Sequence, residues 1–272
     1  MKTKKGNIYC NPSIKIKTQS CYSKQNLVTL TKKFNIKFKQ KINIKKNKTQ
    51  LWKNLNNAMK PKCKNEWCWE KHLIKLNNRF RPKQPSNWKK NEREWLDSNN
   101  IIDVMGQYEQ QFNNFVFLGP VPIDFDLKSK KGKCLVDKLC KINIKMFLKN
   151  KKTQLGIIFN LDPHDKPGSH WTALFLDINR KGIYYFDSYG YKPEVEIKLL
   201  IEKLKNQLKG FGINVNYEYN NIRHQYKNSE CGMYCLHFII TMLTTNKNFK
   251  TFYKKILKDD DIFKYRTKYF LE

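Results

Sequence analysis

Apolar residues in the second half of the chain follow two spacings, and each spacing predicts one kind of element. Strands are predicted where apolar residues alternate or run continuously over strand length, and helices where they recur every three to four residues. The predicted strands are LGIIFNL (155–161), HWTALFLDI (170–178), GIYYFDSYG (182–190) and INVNYEYN (213–220). The predicted helices are residues 194–212 and 231–243. Elements in this order predict an α+β domain with a mixed central sheet flanked by helices.

The part of the chain just before these elements carries a weaker pattern. Residues 92–112 predict a helix whose apolar stripe is formed by Trp95, Ile101, Ile102, Met105 and Tyr108. Residues 113–125 predict a strand that its prolines break into a turn. The charged tail at 246–272 predicts further helix.

In the first part of the chain, basic residues interrupt the apolar patterns. Residues 21–34 predict a short helix capped by Ser23, and residues 51–60 predict another. Between them, residues 35–50 alternate apolar and basic side chains, which is the pattern of a strand. Residues 1–20 predict a loose basic arm.

Prolines mark where this basic part ends. Pro61, Pro82 and Pro85 punctuate a loop-rich segment that reaches residue 90. We therefore predict two domains, a small, basic, mostly helical N-terminal domain at 1–90 and a larger domain at 91–272. The second is long enough to bury a core of its own.

Charge separates the same two parts. The net charge is +31, of which residues 1–90 carry +23, with 25 Lys and Arg against Glu66 and Glu70. An A/T-rich genome favours Lys, Asn and Ile codons, but codon bias would not remove acids from one third of a chain. The first part therefore predicts a surface that faces a polyanion, with DNA or other nucleic acid as the first candidate. An anionic membrane surface is the second candidate, and a solvated basic surface without a partner is the third.

The cysteines do not predict a disulfide framework. Because the N-terminus MKTKKGNIYC lacks the apolar region of a signal peptide, we expect a soluble protein in a reducing compartment. No run is long and apolar enough to span a membrane. Zinc bound by Cys63, Cys68 and His72 is left open, although a second ligand pair is missing. The eight cysteines are Cys10, Cys21, Cys63, Cys68, Cys134, Cys140, Cys231 and Cys235.

Cys231 differs from the other cysteines in its surroundings. It stands where the polar loop QYKNSE meets an apolar helix that Asn228 or Ser229 could cap. A thiol in the first turn of a helix is favoured as a thiolate by free N–H groups and the helix dipole. Cys235, one turn further on, is interpreted as packing, which is the usual role of a buried thiol.

A cysteine nucleophile needs a base and a group that orients the base. His170 begins a predicted strand, and Asp187 ends the next one. If a short hairpin around residues 179–182 joins these strands, their ends lie side by side. Asp177 is a rival, but it lies at the hairpin end. A structural histidine at the strand end and a turn-forming aspartate remain the alternatives.

Neighbouring residues suggest the rest of a site. Gln225, on the loop before Cys231, could donate to a developing oxyanion. Trp171 beside the base, with Trp95 opposite, would narrow the channel to the thiol, and Gly232 leaves room for a substrate backbone. We expect no metal and no cofactor in this set.

The set His170-Trp171, Asp187, Gln225 and Cys231-Gly232, in that order, resembles the adenovirus-protease and SUMO-protease clan. The resemblance covers about residues 92–245 and is strongest to polyprotein proteases of large nucleocytoplasmic DNA viruses, African swine fever virus among them. Those enzymes also share the basic N-terminal extension with its C-[FY]-S-K-x-x-L helix start. One departure is Asp187, where the swine fever virus enzyme looks to use Asn.

The resemblance implies an adenain-like or SUMO-protease-like core and a cysteine protease with a Cys-His-Asp triad. Its implied substrates are viral core polyproteins, cleaved after Gly-Gly or Ala-Gly, and its implied location is the host cytoplasm, at the virus factory, and the virion. Two alternatives stay open. One is an isopeptidase that removes SUMO or ubiquitin-like proteins, and the other is a nucleic-acid-binding virion protein with an inactive protease fold.

Overall fold

The computed structural model of the chain describes residues 20–63, 66–76, 82–245 and 247–270. They belong to two compact units, Met1–Pro82 and Lys83–Glu272. The units divide at Pro82, whereas the sequence placed a domain boundary near residue 90, and the functional division into two domains stays a prediction. The arm predicted at residues 1–20 lies outside the described residues, apart from Ser20.

The first unit is described through short helices. They are α1 (Lys24–Phe38), α2 (Lys48–Met59) and α3 (Trp69–His72), with a 3₁₀ turn at Glu66–Cys68. Ser23 caps α1 as predicted, because its hydroxyl accepts from the N–H of Asn26 at 3.1 Å. The strand predicted at 35–50 is wrong: α1 continues to Phe38, and Asn47 caps α2.

Apolar side chains from all three helices form the core of this unit. They are Tyr22, Leu27, Leu30, Phe34, Leu51, Leu55, Met59, Cys63 and Trp69. The buried Glu66 carboxylate accepts from the Ser20 hydroxyl at 2.7 Å, the Cys21 N–H at 2.9 Å and the Trp52 indole at 2.7 Å. One of the two acids of this basic region therefore has a structural role.

The second unit contains a five-stranded mixed sheet in the order β1-β2-β3-β4-β5. The strands are β1 (Phe115–Pro122), β2 (Gln154–Asn160), β3 (Trp171–Asp177), β4 (Gly182–Phe186) and β5 (Asn216–Tyr219). The central pairs β2–β3 and β3–β4 are antiparallel, whereas β1–β2 and β4–β5 are parallel. The predicted α+β class and mixed sheet are confirmed.

Helices cover both faces of this sheet. They are α4 (Ser98–Gln111), α5 (Asp137–Cys140), α6 (Ile144–Lys149), α7 (Val195–Lys209), α8 (Cys231–Thr244), α9 (Thr251–Lys254), α10 (Asp259–Phe263) and α11 (Arg266–Tyr269). The predicted helix at 92–112 begins only at Ser98, because Asp97 and Asn100 form a capping box there. None of the helices in the described ranges is long and apolar enough to cross a membrane.

Strand β3 explains why one sheet supports two cores. Ala173 and Phe175 pack with α4 and α8 on one face, whereas Leu174 and Leu176 pack with α7 on the other. All seven of its residues are buried, as expected for a central strand covered on both faces. The beginning of α8 therefore packs against the same face of the sheet as α4, the face that carries Ala173 and Phe175.

Two disulfides join described cysteines to each other, Cys63–Cys68 and Cys134–Cys140. Neither pair was predicted from the sequence. Each pair closes a short turn that brings its Cα atoms to 5.5 Å and 6.2 Å, within the range that a disulfide requires. Ligand atoms of Cys63, Cys68 and His72 lie within 4.8 Å of one another, but the two sulfur atoms are bonded to each other.

Candidate active site

Cys231 is the first residue of α8 and is buried, with 2% of its surface exposed. The residue before it, Glu230, takes the N-cap position, and no side chain caps the helix there. The predicted caps Asn228 and Ser229 are therefore wrong. Because the first N–H groups of α8 are not satisfied by a cap, the thiol lies where the helix end favours negative charge.

His170 lies directly before β3 and contacts both partners that were predicted for it. Its Nε2 lies 2.6 Å from Oδ1 of Asp187, and the ring also forms a hydrogen bond with Cys231. Burial disfavours the imidazolium, but the bonds to Asp187 and Cys231 outweigh it and raise the pKa of His170 to about 9. A protonated ring beside the thiol is the arrangement that a thiolate–imidazolium pair requires.

The antiparallel pairing of β3 with β4 brings these groups together. Ala173 pairs with Phe186, so the beginning of β3 lies beside the end of β4, as the predicted hairpin required. Asp187 follows β4 directly, and Asp177 lies at the opposite end of β3, opposite Gly182. The choice of Asp187 over Asp177 as the partner of His170 therefore agrees with the geometry.

Asp187 is held by its backbone as well as its side chain. Its N–H donates to Oδ1 of Asn220 at 2.8 Å, and its carbonyl accepts from Nδ2 of Asn220 at 2.6 Å. Its Oδ1 also accepts from the N–H of Tyr189 at 2.9 Å. The ring of Tyr189 stacks on His170 with centroids 4.5 Å apart. The imidazole is thus fixed by a hydrogen bond at its edge and an aromatic ring on its face.

Gln225 is fully buried on the loop before Cys231. Its Oε1 accepts from the Ser188 hydroxyl at 2.7 Å, and its Nε2 donates to the carbonyl of Lys227 at 2.6 Å. The N–H of Gln225 donates to the Ser188 carbonyl at 2.9 Å. These bonds fix which end of the amide is the donor, and the second N–H of Nε2 is the group that could serve an oxyanion.

The predicted tryptophans line a groove near the beginning of α8, where Gly232 meets Leu96 and Trp171. Trp95, Leu96 and Trp171 all line a cavity of about 340 Å³. The indole N–H of Trp171 donates to the carbonyl of Leu96 at 3.0 Å, which fixes the ring. A Cβ added to Gly232 would lie 3.1 Å from Leu96 and 3.3 Å from Trp171. Gly232 therefore suits a tightly packed position beside the nucleophile.

The groove continues along the loop that connects β2 to His170. A second cavity of about 220 Å³ shares Asn160, Pro167 and Trp171 with the first. Gly168 has φ +102°, and a Cβ there would lie 2.4 Å from Nδ2 of Asn160. Only glycine therefore suits this bend, which places the loop against the groove.

Other histidines of this unit serve the fold. The buried ring of His224 contacts the Phe252 carbonyl at 2.9 Å and accepts from the Leu257 N–H at 3.1 Å, and burial lowers its pKa. Burial lowers the pKa of His237 to about 4. Burial also raises the pKa of Cys235 well above its ordinary value, so that thiol stays neutral, in agreement with a packing role.

Sequence reasoning missed three residues of this arrangement. Ser188 orients Gln225, Tyr189 stacks on His170, and Asn220 holds Asp187. The first two follow Asp187 directly, so the polar turn DSYG carried a signal. Asn220 is 33 residues from its partner, and nothing local to it indicates its role.

Two curated viral proteins resemble parts of this chain. A protein of Acanthamoeba polyphaga mimivirus named as a thiol protease is 39% identical over 166 residues, which cover 61% of this chain and 52% of that relative. A cysteine protease of African swine fever virus is 34% identical over 118 residues, covering 42% of this chain and 43% of the relative. The chain thus spans about half the length of the curated relatives it matches.

The fold is also that of a solved viral structure. The crystal structure of the African swine fever virus protease superposes with a TM-score of 0.67 at 22% identity, covering 96% of this chain and 94% of that one. Residues 124–272, more than half of the chain, match the Ulp1 protease family, C-terminal catalytic domain. That range contains His170, Asp187, Gln225 and Cys231. The chain therefore belongs to the Ulp1 protease family.

Proposed function

We propose that the chain is a viral cysteine endopeptidase that cleaves structural polyproteins during virion maturation. One observation carries the proposal: a buried imidazole lies 2.6 Å from a carboxylate and is hydrogen-bonded to the thiol at the beginning of α8. A thiol, a base and a group that orients the base are the parts that nucleophilic catalysis requires. Family membership and two viral relatives named as proteases support the same activity.

In the proposed reaction, the Cys231 thiolate attacks the carbonyl carbon of the scissile peptide. The developing oxyanion accepts from the N–H of Cys231 and from Nε2 of Gln225. The His170 imidazolium then donates its proton to the leaving amine, which departs as the thioester forms. In the second half, neutral His170 takes a proton from water, and the hydroxide displaces Cys231 from the acyl group. Asp187 stabilises the imidazolium and fixes its ring.

Cleavage after Gly-Gly or Ala-Gly sites is the substrate preference that we propose. The resemblance to viral polyprotein proteases implies it, and the groove supports it. Leu96, Trp171 and Gly232 pack so closely that even one added methyl at Gly232 would be crowded. In the proposed binding mode the substrate runs beside the fixed indole of Trp171, which leaves little room for a side chain larger than methyl.

A peptide containing Gly-Gly-Ala tests the activity. Cys231→Ala should abolish cleavage, because no other group in the site can form the thioester. Cys235→Ser is the matched control, since that thiol is on the same helix and fully buried, and it should keep most of the activity. Comparable turnover by wild type and Cys231→Ala would overturn the proposal. Incubation with a viral core polyprotein, followed by N-terminal sequencing, would identify the sites.

Deconjugation of a ubiquitin-like protein is the second candidate. It is favoured by the family itself and by swine fever virus relatives named SUMO-1 cysteine proteases. Both activities use the same catalytic groups, so substrate alone separates them. We expect faster cleavage of a linear Gly-Gly-Ala peptide than of a SUMO–lysine isopeptide conjugate at equal concentration, and the reverse ranking would favour the isopeptidase.

We further propose that the basic first part of the chain binds DNA. Nearly all described lysines of the first unit are exposed, and two acids oppose them. Replacing Lys32, Lys33, Lys45 and Lys46 by Gln in the full chain should lower the slope of log affinity against log salt by roughly 3 to 4. The same change at four exposed lysines of the second unit (Lys128, Lys130, Lys131 and Lys133) is the control. Equal effects of the two variants would contradict the assignment.

DNA binding without proteolysis is the outcome that would favour an inactive virion protein instead. We propose that the active enzyme is made late in infection, acts at virus factories in the host cytoplasm and is packaged in the virion. Its viral relatives and its basic surface support that location. Immunoblotting of gradient-purified, protease-treated virions tests it, and absence of the chain from intact particles would contradict packaging.

A further inference from the structure

Residues 257–266 contact the loop that leads to Cys231, although they are distant from most of the candidate active site in sequence. We call residues 257–266 the bracing segment and residues 225–230 the nucleophile loop. Both belong to the second unit. The bracing segment makes two buried contacts with the nucleophile loop, one near Gln225 and one directly before Cys231, and a surface pair between Asp260 and Lys227. The proposed reaction does not use either buried contact.

The first contact is made by the buried carboxylate of Asp259. Its Oδ2 accepts from the backbone N–H groups of Tyr226 at 2.9 Å and Lys227 at 3.1 Å. The hydroxyl of Tyr234 on α8 donates to the Leu257 carbonyl of the same segment at 2.8 Å and lies 3.4 Å from Oδ1 of Asp259. The bracing segment therefore joins the nucleophile loop to the first turns of α8.

Lys227 connects this carboxylate to the candidate oxyanion donor. Its N–H is bonded to Asp259, and its carbonyl accepts from Nε2 of Gln225 at 2.6 Å. The opposite end of the Gln225 amide is held by the Ser188 hydroxyl at 2.7 Å. A shift of the Lys227 backbone would therefore turn the Gln225 amide about its Ser188 end.

The second contact is a buried ion pair next to the nucleophile. Glu230 is fully buried, and its Oε2 lies 3.0 Å from Nε of Arg266, which is 2% exposed. The guanidinium lies over the ring of Trp88, 4.3 Å from its centroid. Neither Nη atom of Arg266 has a hydrogen-bond partner in the described parts of the chain. The pair is thus not arranged for the greatest stability, which agrees with a role in fixing conformation.

We propose that Asp259 is a positioning residue for Gln225, and that the bracing segment holds the nucleophile loop in its reactive geometry. This inference rests on the proposed peptidase function. Asp259 acts through the Lys227 backbone on the Gln225 amide, and Arg266 acts through Glu230 on the beginning of α8. Without the brace, the transition state loses an oriented donor. Peptide binding at Trp95, Leu96 and Trp171 is unaffected.

Asp259→Ala in the full chain tests the proposal with the Gly-Gly-Ala peptide. We expect kcat to fall about 10- to 100-fold while KM changes less than about twofold, because the lost interaction acts in the transition state. Asp261→Ala is the matched control, since that nearby carboxylate is exposed and pairs with Lys264 rather than with the nucleophile loop. It should leave kcat unchanged. Equal losses in the two variants, or a loss confined to KM, would overturn the proposal.

A double variant shows whether Asp259 acts through Gln225. Gln225→Ala alone should lower kcat about 100- to 1000-fold. Once that donor is gone, Asp259→Ala should add almost nothing, so the double variant should be about as slow as Gln225→Ala. Losses that multiply would show that Asp259 acts elsewhere. If Asp259→Ala does not fold, Asp259→Asn replaces it. Its kcat loss should be smaller and should likewise add almost nothing in the Gln225→Ala background.

Two readouts that need no peptide substrate separate this inference from the proposed function. Alkylation of Cys231 by iodoacetamide across pH should be unchanged in Asp259→Ala, because the thiol–imidazole pair does not involve Asp259. Hydrogen exchange at the amides of Tyr226 and Lys227 should become faster. Faster exchange with wild-type kcat would refute the positioning role. If the wild type cleaves no peptide, the proposed function fails, and unchanged exchange in Asp259→Ala would then refute the brace as well.

Discussion

Two histidine–carboxylate pairs of equal separation involve the loop between β2 and β3, and only one of them lies beside a thiol. His170 and Asp187 are 2.6 Å apart, and so are His164 and Asp124. The side chain of His164 is 46% exposed, whereas that of His170 is 10% exposed. In both pairs the hydrogen bond to the carboxylate raises the pKa of the histidine.

A short contact between imidazole and carboxylate therefore does not by itself indicate a catalytic base. Water competes for the exposed pair, so its net contribution is small. The buried pair adds a second partner, Cys231, and a stacked ring, Tyr189. Sequence alone separated them only by context, because His164 lies in a turn and His170 begins a strand.

The largest expected effect comes from removing each imidazole in turn. His170→Ala should lower kcat/KM for the Gly-Gly-Ala peptide about 1000- to 10,000-fold, because both the thiolate and the proton for the leaving amine depend on it. His164→Ala should stay within about twofold. Steady-state kinetics on the two folded variants measures this. Similar losses would mean that the exposed pair belongs to the catalytic site.

Replacing the carboxylates should also lower kcat for the buried pair and not for the exposed pair, but by less than replacing the histidines. Asp187→Ala should lower kcat about 100-fold, since the ring loses its orienting partner and its imidazolium loses a counter-charge. Asp187→Asn should be milder, because an amide oxygen can still accept from the ring. Asp124→Ala should leave kcat unchanged. If Asp187→Ala also has wild-type kcat, His170 does not depend on Asp187.

The pH profile sharpens the contrast between the pairs. Because the pKa of His170 is raised to about 9, its ring stays protonated below about pH 9 and loses its proton above that value. Activity should therefore fall about tenfold per pH unit above about pH 9 as the ion pair with Cys231 is lost. In Asp187→Asn the fall should begin at a lower pH, whereas in His164→Ala it should not move. An identical alkaline limb in Asp187→Asn would contradict the assignment.

The smallest expected effect concerns the loop that separates the two histidines. Gly168→Ala should lower the free energy of unfolding by about 1–3 kcal/mol, because φ +102° is strained for alanine and its Cβ would meet Asn160. Gly132→Ala is the control, with φ +74° but open space around the added Cβ. Urea denaturation compares them. Equal costs would show that the contact with Asn160 does not hold the bend.

Periodic apolar segments made most of the sheet and its two helix layers predictable. The β3–β4 hairpin and the beginning of α8 follow from local patterns, and together they place His170, Asp187 and Cys231. The catalytic roles of these residues stay predictions. Apolar spacing works here because β3 is buried on both faces, so its central residues, from Ala173 to Leu176, are all apolar.

Two causes explain the features that the sequence did not predict. Helix caps change where elements begin, and some contacts join residues far apart in the chain. Asn47 caps α2, which overrides the strand pattern at 35–50. Asp97 caps α4, which shortens the helix predicted at 92–112. Glu230 displaces Asn228 and Ser229 at the start of α8, and its partner Arg266 is 36 residues away. No local window contains both members of such a pair.

The mixed sheet has a consequence for when the candidate site can form. Its parallel pairs β1–β2 and β4–β5 need crossover connections, and 61 positions of sequence separate His170 from Cys231. Contacts between residues so far apart form late in folding, because loop closure precedes their stabilisation. In a chain still emerging from the ribosome, His170 is made well before Cys231 and has no thiol beside it. Topology alone therefore keeps the two groups apart until synthesis has passed α8 and the sheet has formed.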